Sequence, residues 1–322
     1  LTKSKFAYPL IGLGNVYVEQ SRFEDAIRAY KKAIDIDPDS SDSWNGLGNA
    51  YINLGLYDDA ITSYQKAISI DSKFAYPWNN LGNVYHNLGR FDDAIKAYNK
   101  ALEIDPNYSE PWHGRGNVYL DMHKYDEAIE AYKNRIKLEP SSVNSWHGLG
   151  NVYNRKNCED CDIKAIEAYK KAIDINPSFS PAWNGLGNVY QRKEMFDDAI
   201  AAFKNAIEID PKFAAARLSL ASCYKRINQD DMYKEQIKIA NDLMENEIEY
   251  NRACFEAISG NKEKALELLE IALKKNQMGP DWARRDPDLE SIRDDPNFDH
   301  LLEKFSSKGW ASGTTRHQFI IR

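Results

Sequence analysis

Trp183-Asn-Gly-Leu-Gly-Asn-Val-Tyr190 recurs, nearly intact, along most of a 322-residue chain, and its spacing decides how the rest is read. Close copies occupy Leu10 to Tyr17, Trp44 to Tyr51, Trp78 to Tyr85, Trp112 to Tyr119 and Trp146 to Tyr153. They step by 34 residues until a three-residue insertion delays the last. A fixed period of this length marks stacked structural repeats, each burying its apolar face against its neighbours rather than in a core of its own.

Two helical stripes run through each repeat. In the one opening at Ser41, Trp44, Leu47, Gly48 and Tyr51 follow i, i+3, i+4, i+7, while Ala60, Tyr64 and Ala67 follow i, i+4, i+7. The repeat is predicted to be a helical hairpin. Gly48 and Ala60 stand where two backbones are expected to approach closely, and Gly55 stands near the turn, where glycine tolerates an unusual φ. Asp37-Pro38, Asp105-Pro106, Glu139-Pro140, Asn176-Pro177 and Asp210-Pro211 are expected to end the second helices, because the residue before proline is pushed out of the helical region.

These residues resemble the tetratricopeptide repeat (TPR) family, whose Trp-Leu-Gly-Tyr, Ala-Phe/Tyr-Ala, Pro pattern they meet many times over between roughly Ala7 and Lys275. The resemblance implies an all-α fold, a right-handed superhelical α-solenoid of about eight hairpins closed by C-terminal capping helices. One elongated domain is expected in place of separate globular cores.

Composition narrows the partners. With 49 acidic against 42 basic side chains, the body is mildly acidic, which argues against a nucleic-acid backbone as the main partner. No apolar run approaches the 18 or so residues needed to span a bilayer. Four cysteines are too few for a disulfide framework, and the cytoplasm is the expected compartment. The chain opens at Leu1 without an initiator methionine, so a removed leader and excision from a longer protein both stay open.

The predicted array covers 1–275, with repeats starting near 7, 41, 75, 109, 143, 180, 214 and 246. Leu1 to Phe6 reads as the end of a preceding repeat, since Ser4-Lys-Phe-Ala-Tyr-Pro9 returns as Ser72-Lys-Phe-Ala-Tyr-Pro77. The fourth repeat carries Arg115 and Arg135 at usually apolar positions, and a local irregularity is expected there. In the fifth, Asn157-Cys-Glu-Asp-Cys-Asp-Ile-Lys164 is expected to be a loop insertion. Arg217 replaces tryptophan and Tyr233 a small residue in the seventh, the drift expected of terminal repeats. Asp286-Pro287 and Asp295-Pro296 each set a capping side chain before a proline suited to a first helical turn, so short helices are predicted within a capping segment, 276–305. Leu289, Ile292, Phe298, Leu301 and Leu302 would close the open end of the core. Residues 306–322 read as an extended tail rich in Ser, Gly and Thr, without an acidic residue and ending Phe319-Ile-Ile-Arg322.

The first helix of each repeat carries a second stripe at positions two, five, nine and twelve, which the TPR resemblance turns toward a concave groove. Position nine is asparagine in six successive repeats: Asn15, Asn49, Asn83, Asn117, Asn151 and Asn188. A carboxamide offers donor and acceptor together, so such a ladder suits an extended peptide backbone with little regard to its side chains. The competing reading has these asparagines bond a neighbouring helix. Asn45, Asn79, His113, His147 and Asn184 at position five, with Arg155 and Arg192 just beyond position twelve, complete the candidate binding residues. Chaperone-binding members of the family instead carry Lys or Arg at positions five and nine, and those cations are missing here.

No other chemistry stands out. His113 and His147 occupy equivalent places in adjacent repeats, but two imidazoles must meet within about 2.1 Å of one zinc ion, while packed helices lie about 8–10 Å apart. A polar groove lining competes with a metal site there. Cys158 and Cys161 form half of a zinc site with no second pair at ligand spacing, set against a plain exposed loop. The Gly-Leu-Gly-Asn runs lie in mid-helix and do not open a helix after a strand, as a nucleotide loop must. No catalytic residue, metal or cofactor is predicted. The function read from the sequence is a non-catalytic interaction scaffold binding an extended peptide. Its rivals are a self-assembling array, in which Trp310 to Arg322 fills a TPR groove of a neighbour rather than its own, and the recognition arm of a larger enzyme.

Overall fold

The computed structural model describes residues 2–156, 158–244, 247–275, 277, 279–284 and 286–306. The expected occupation of a groove by Trp310 to Arg322 lies outside these residues. Every described element is helical, and the chain divides into two compact units, Leu1–Met122 and His123–Arg322.

The first unit contains α1 (Thr2–Glu19), α2 (Phe23–Ile36), α3 (Ser41–Asn53), α4 (Tyr57–Ile70), α5 (Ala75–Asn87), α6 (Phe91–Ile104) and α7 (Glu110–Asp121). Successive helices pack as hairpins, α1 on α2, α3 on α4 and α5 on α6. The second contains α8 (Tyr125–Leu138), α9 (Val143–Lys156), α10 (Cys161–Ile175), α11 (Ser180–Arg192), α12 (Phe196–Ile209), α13 (Ala214–Arg226), α14 (Asp230–Leu243), α15 (Glu249–Ser259), α16 (Lys262–Lys274), the short α17 (Pro280–Ala283), a 3-10 turn (Pro287–Ile292) and α18 (Pro296–Ser306). Here α9 pairs with α10, α11 with α12, α13 with α14 and α15 with α16. The division between units falls inside the fourth repeat, between Met122 and His123.

Each helix ends for a local reason. After the second helix of a hairpin, the side chains of Asp71, Asp105, Asn176 and Asp210 accept from the backbone N–H two residues on, at 2.9–3.0 Å. An Asx turn therefore reinforces the helix-ending proline and replaces it at Asp71-Ser72. Between the helices of a hairpin the chain turns through a left-handed residue, Gly55 at φ 73° and Gly89 at φ 71°. Ser21, His123, Glu194 and Asn228 take the same conformation without glycine's freedom.

The helical glycines have a cause other than the one expected. Close approach of two backbones is not what demands Gly48: a Cβ there would stand 2.6 Å from the ring of Tyr64. Tyr30 is held in the same way between Gly14 of its own repeat and Gly46 of the next, where a Cβ would come within 2.6 and 2.4 Å. Tyr64, Tyr98 and Tyr169 are likewise fully buried in their units. Tyrosine rings, filling the space that glycine leaves, connect successive hairpins.

In three repeats tryptophan fastens the hairpin to the turn before it. The indoles of Trp44, Trp146 and Trp183 donate to the carbonyls of Pro38, Pro140 and Pro177 at 2.9–3.0 Å. Arg217, which looked like drift, makes the equivalent bonds, its guanidinium donating to Pro211 O at 2.9 and 3.1 Å. In the fourth repeat Arg115 lies over Trp112, 4.6 Å from the ring centroid, so its long stem is accommodated within α7.

Three sequence expectations need correction. Thr2 to Phe6, expected to end a preceding repeat, instead belongs to the first helix: α1 runs unbroken from Thr2 through Pro9 to Glu19, since Lys3, Lys5 and Ala7 are good helix formers and the proline removes only one backbone donor. The inserted segment is not confined to a loop, because α9 continues to Lys156 and α10 already begins at Cys161. Cys158 and Cys161 are not independent thiols. The Cys161 N–H donates to Cys158 O at 3.0 Å, a turn that brings the Cα atoms to 4.9 Å, and the two sulfurs are joined as a disulfide.

At the C-terminal end, Leu289, Ile292, Phe298, Leu301 and Leu302 are buried in one cluster with residues of α13, α15 and α16. Asp286 caps the 3-10 turn by accepting from Asp288 N, and Asp295 accepts from Asn297 N, both at 2.9 Å.

Candidate functional site

The asparagine stripe rests on the buried tyrosines. Tyr30 Oη donates to Asn15 Oδ1 at 2.6 Å, and Tyr64, Tyr98 and Tyr169 donate to Asn49, Asn83 and Asn151 at 2.7 Å each. Burial raises these phenol pKa values, to about 12 for Tyr30, so each stays a protonated donor at physiological pH. A carboxamide whose oxygen receives a hydroxyl presents its NH2 as the remaining donor. The hydroxyl takes one of the oxygen's two lone pairs, so at these positions the carboxamide keeps its NH2 donors and a reduced acceptor capacity. In the sixth repeat Phe203 takes the tyrosine's place and offers Asn188 no hydroxyl.

In the first unit Asn15 and Asn83 are exposed, while Asn49 and Asn117 are half-buried. Asn80 stands where other repeats have glycine, and its Nδ2 donates to Asn45 Oδ1 at 3.2 Å and Asn49 Oδ1 at 3.0 Å. This gathers Asn45, Asn49, Asn80 and Tyr64 into one amide cluster. Asn79 is buried beside it, so it is withdrawn from the surface the sequence assigned it to. His113 is half-buried on α7, and on α5 His86 Nε2 lies 2.7 Å from Asp121 Oδ2.

In the second unit His147 lies against Phe179, with ring centroids 5.3 Å apart and an edge-on tilt, and its Nε2 is 3.5 Å from Asn151 Nδ2. The two predicted arginines are both engaged. Arg192 donates to Asn154 Oδ1 at 2.5 Å and pairs with Asp162 of α10, while the Arg155 guanidinium sits 6.0 Å from the Trp282 ring centroid. Among the described residues no group of three or more His, Cys, Asp or Glu side chains could hold a metal ion.

A cavity of about 120 Å³ opens on the same stripe, lined by Asn154, Asn184, Asn188 and Arg192 and walled on the other side by Trp282, Asp286 and Asp288. The sequence had given Asp286 only a capping role and Asp288 and Trp282 none. Gln191 and Ser219 donate to Asp288 at 3.4 and 3.2 Å. Tyr250 and Trp282 donate to Asp286 at 2.7 and 3.2 Å. Burial, reinforced by the Asp286 charge, pushes Asp288 up to about 7, and burial also raises Asp286. An Asp-Pro-Asp triplet in a capping segment was the available signal, but nothing in the linear sequence aims it at α11.

Family models described as tetratricopeptide repeat match residues 75–108, 180–213 and 97–130, and one described as TPR repeat matches 14–55, 48–89, 116–157 and 164–194. Together they cover more than half of the chain. A tetratricopeptide repeat protein from Parabacteroides merdae is 18% identical, with 81% of this chain and 98% of that one covered at a TM-score of 0.58. PilF of Pseudomonas aeruginosa is 20% identical, with 67% and 97% covered at 0.59. MamA is 30% identical over 51% of this chain and 94% of its own, at 0.45. No curated protein sequence matches the chain.

Proposed function

Since the chain belongs to the tetratricopeptide repeat family, whose members are interaction scaffolds, we propose that it binds an extended peptide segment of another protein along its asparagine stripe. The Tyr–Asn bond carries this reading. By holding each carboxamide oxygen, the tyrosines at four described repeats orient a row of NH2 donors toward whatever lies on the stripe. Successive packed helices lie about 8–10 Å apart. Extended peptide rises about 3.3 Å per residue, so carbonyls roughly three residues apart would meet successive asparagines.

In the first unit Asn117 extends the row, with His113 beside it; in the second, Asn151 and Asn188 make the corresponding row, with His147 and Asn184 beside it. Arg155 and Arg192, drawn to Trp282 and Asp162, shape the stripe rather than present free charge. Replacing Asn83 and Asn117 together by alanine should weaken a peptide selected on the native protein by about 1–3 kcal/mol. Unchanged affinity at preserved helicity would leave the asparagines a packing role.

A further inference from the structure

In both units the first helix of a hairpin buries one face beneath the second helix before it. Leu47 and Ala50 of α3 and Leu81 and Val84 of α5 are buried in this way, as are Leu149 and Val152 of α9. On α1 the same positions are Leu13 and Val16, which stay 41% and 45% exposed. The glycines agree. A Cβ at Gly46 of α3 would stand 2.4 Å from the ring of Tyr30, whereas one at Gly12, the equivalent place on α1, would meet nothing within 4 Å. This apolar face of α1 has the residues of a packed face and is open.

α1 is also more than an uncovered copy. It runs 18 residues where α3 and α5 run 13. Ser4-Lys-Phe-Ala7 continues the helix, while in Ser72-Lys-Phe-Ala75 the same residues make the turn and the cap of α5. The extension adds Phe6, 71% exposed, to the open face. Phe6, Pro9, Leu13 and Val16 then follow one another at intervals of three, four and three, the spacing of a coiled-coil seam. Lys5, Gly12 and Glu19 stand seven residues apart along one edge of that seam, basic at one end and acidic at the other.

We propose that α1 packs antiparallel against α1 of a second copy of this chain about a two-fold axis. Such a self-complementary pairing makes every contact twice. In this register Phe6 lies across from Val16 of the second copy and Pro9 across from Leu13. Lys5 and Glu19 face each other at both ends, and Gly12 faces its counterpart near the axis. A parallel pairing would instead bring the two lysine-bearing ends together. A second copy has no second helix to lend to this face: in the first unit α2, α4 and α6 are already packed against α3, α5 and α7, and in the second α8, α10, α12 and α14 against α9, α11, α13 and α15. At about 100° per residue, Asn15 lies on the side of α1 opposite Phe6, so the pairing does not cover the asparagine stripe.

Light scattering on the full chain over a wide concentration range tests this. The native protein should pass from one chain to two as concentration rises. Leu13→Glu with Val16→Glu, both at exposed positions, should hold it at one chain with the helical signal unchanged. Lys5→Glu alone and Glu19→Lys alone should each raise the dissociation constant of the dimer about threefold or more, and the two together should restore it, as the antiparallel register requires. A native chain that stays single, a dimer that survives Leu13→Glu with Val16→Glu, or charge reversals without effect or without mutual rescue would overturn the pairing. So would a monomer that binds a peptide of the α2 sequence, Phe23 to Ile36, through Leu13, an outcome that gives the face to the second helix of another hairpin. The stripe reading is scored separately, by peptide affinity in Asn83→Ala with Asn117→Ala, on α5 and α7.

Discussion

Tyr98 Oη donates to Asn83 Oδ1 over 2.7 Å, and the two residues stand 15 positions apart, one on each helix of a single hairpin. The same bond, at the same spacing, joins Tyr30 to Asn15 and Tyr64 to Asn49. In the fifth repeat the insertion stretches the separation to 18, yet Tyr169 still reaches Asn151. A ring that ties successive hairpins together thereby also sets the orientation of the surface amides.

Tyr98→Phe should preserve the ring packing and remove only this bond. The expected loss is about 0.5–1.5 kcal/mol, toward the low end because Asn83 is exposed and water can take the hydroxyl's place. Peptide affinity should fall as well, since Asn83 loses the contact that orients it. Urea unfolding together with peptide titration checks both effects; a stability loss with affinity intact would separate the tyrosine from the stripe.

Glycine positions divide by what surrounds them. Gly82→Ala places a Cβ 2.6 Å from Tyr98 Cε1, and overpacking of this kind costs about 1–3 kcal/mol. Gly12→Ala meets nothing within 4 Å and should instead gain up to about 1 kcal/mol of helix propensity. Opposite shifts in the urea midpoint are the expected result.

Much of the fold is legible in the sequence because every repeat states it again. The hairpins, their proline and Asx endings and the aromatic anchors all follow from local spacing. The Tyr–Asn bond was visible in principle, as an asparagine at position nine followed in every repeat but the sixth by a later tyrosine, but periodicity alone assigns that aromatic to the core and ignores its hydroxyl. The cavity was not legible. Asp288 and Gln191 are separated by 97 residues, and only packing of the capping segment brings them together. Arg217 makes the converse point: a substitution that breaks the repeat pattern keeps its hydrogen bond to the proline carbonyl.

Asp288 makes stability depend on pH in a direction opposite to that of an ion-paired carboxylate. Its pKa is about 7 in the folded protein against an ordinary 3.8, so between these values the folded state holds the extra proton. Stability contributed by this group is then present below about pH 4, declines as pH rises, and is lost once pH passes about 7. Asp288→Asn should flatten that decline. Urea midpoints at pH 5 and pH 8 for both proteins read it directly; an equal fall in the variant would assign the effect to other groups.

Glu194 adopts φ 58°, a left-handed conformation that costs an ordinary residue about 1–2 kcal/mol. Glu194→Gly should recover part of this, offset by the greater freedom of glycine in the unfolded chain. A rise in thermal midpoint with unchanged helicity is expected; a fall would mean that the glutamate's pairing with Arg226, 3.5 Å away, outweighs the backbone strain.

The disulfide closes a very short loop, for which chain entropy predicts a contribution of about 2 kcal/mol or less. Cys158→Ser with Cys161→Ser should lower stability by no more than this while leaving the helical signal intact. A larger loss would show that buried Cys161 matters through its packing at the start of α10.

The most direct test of the central claim observes the asparagine amides themselves. The side-chain NH2 resonances of Asn15, Asn49, Asn83 and Asn151 are assigned by single substitutions, and a peptide selected from a degenerate pool on the native protein is then titrated in. The account predicts that those of Asn15, Asn49 and Asn83 shift together and saturate at the same peptide concentration, and that Asn151 shifts on binding as well, with the tyrosine rings undisturbed. A bound peptide that leaves all four amides unmoved would contradict it.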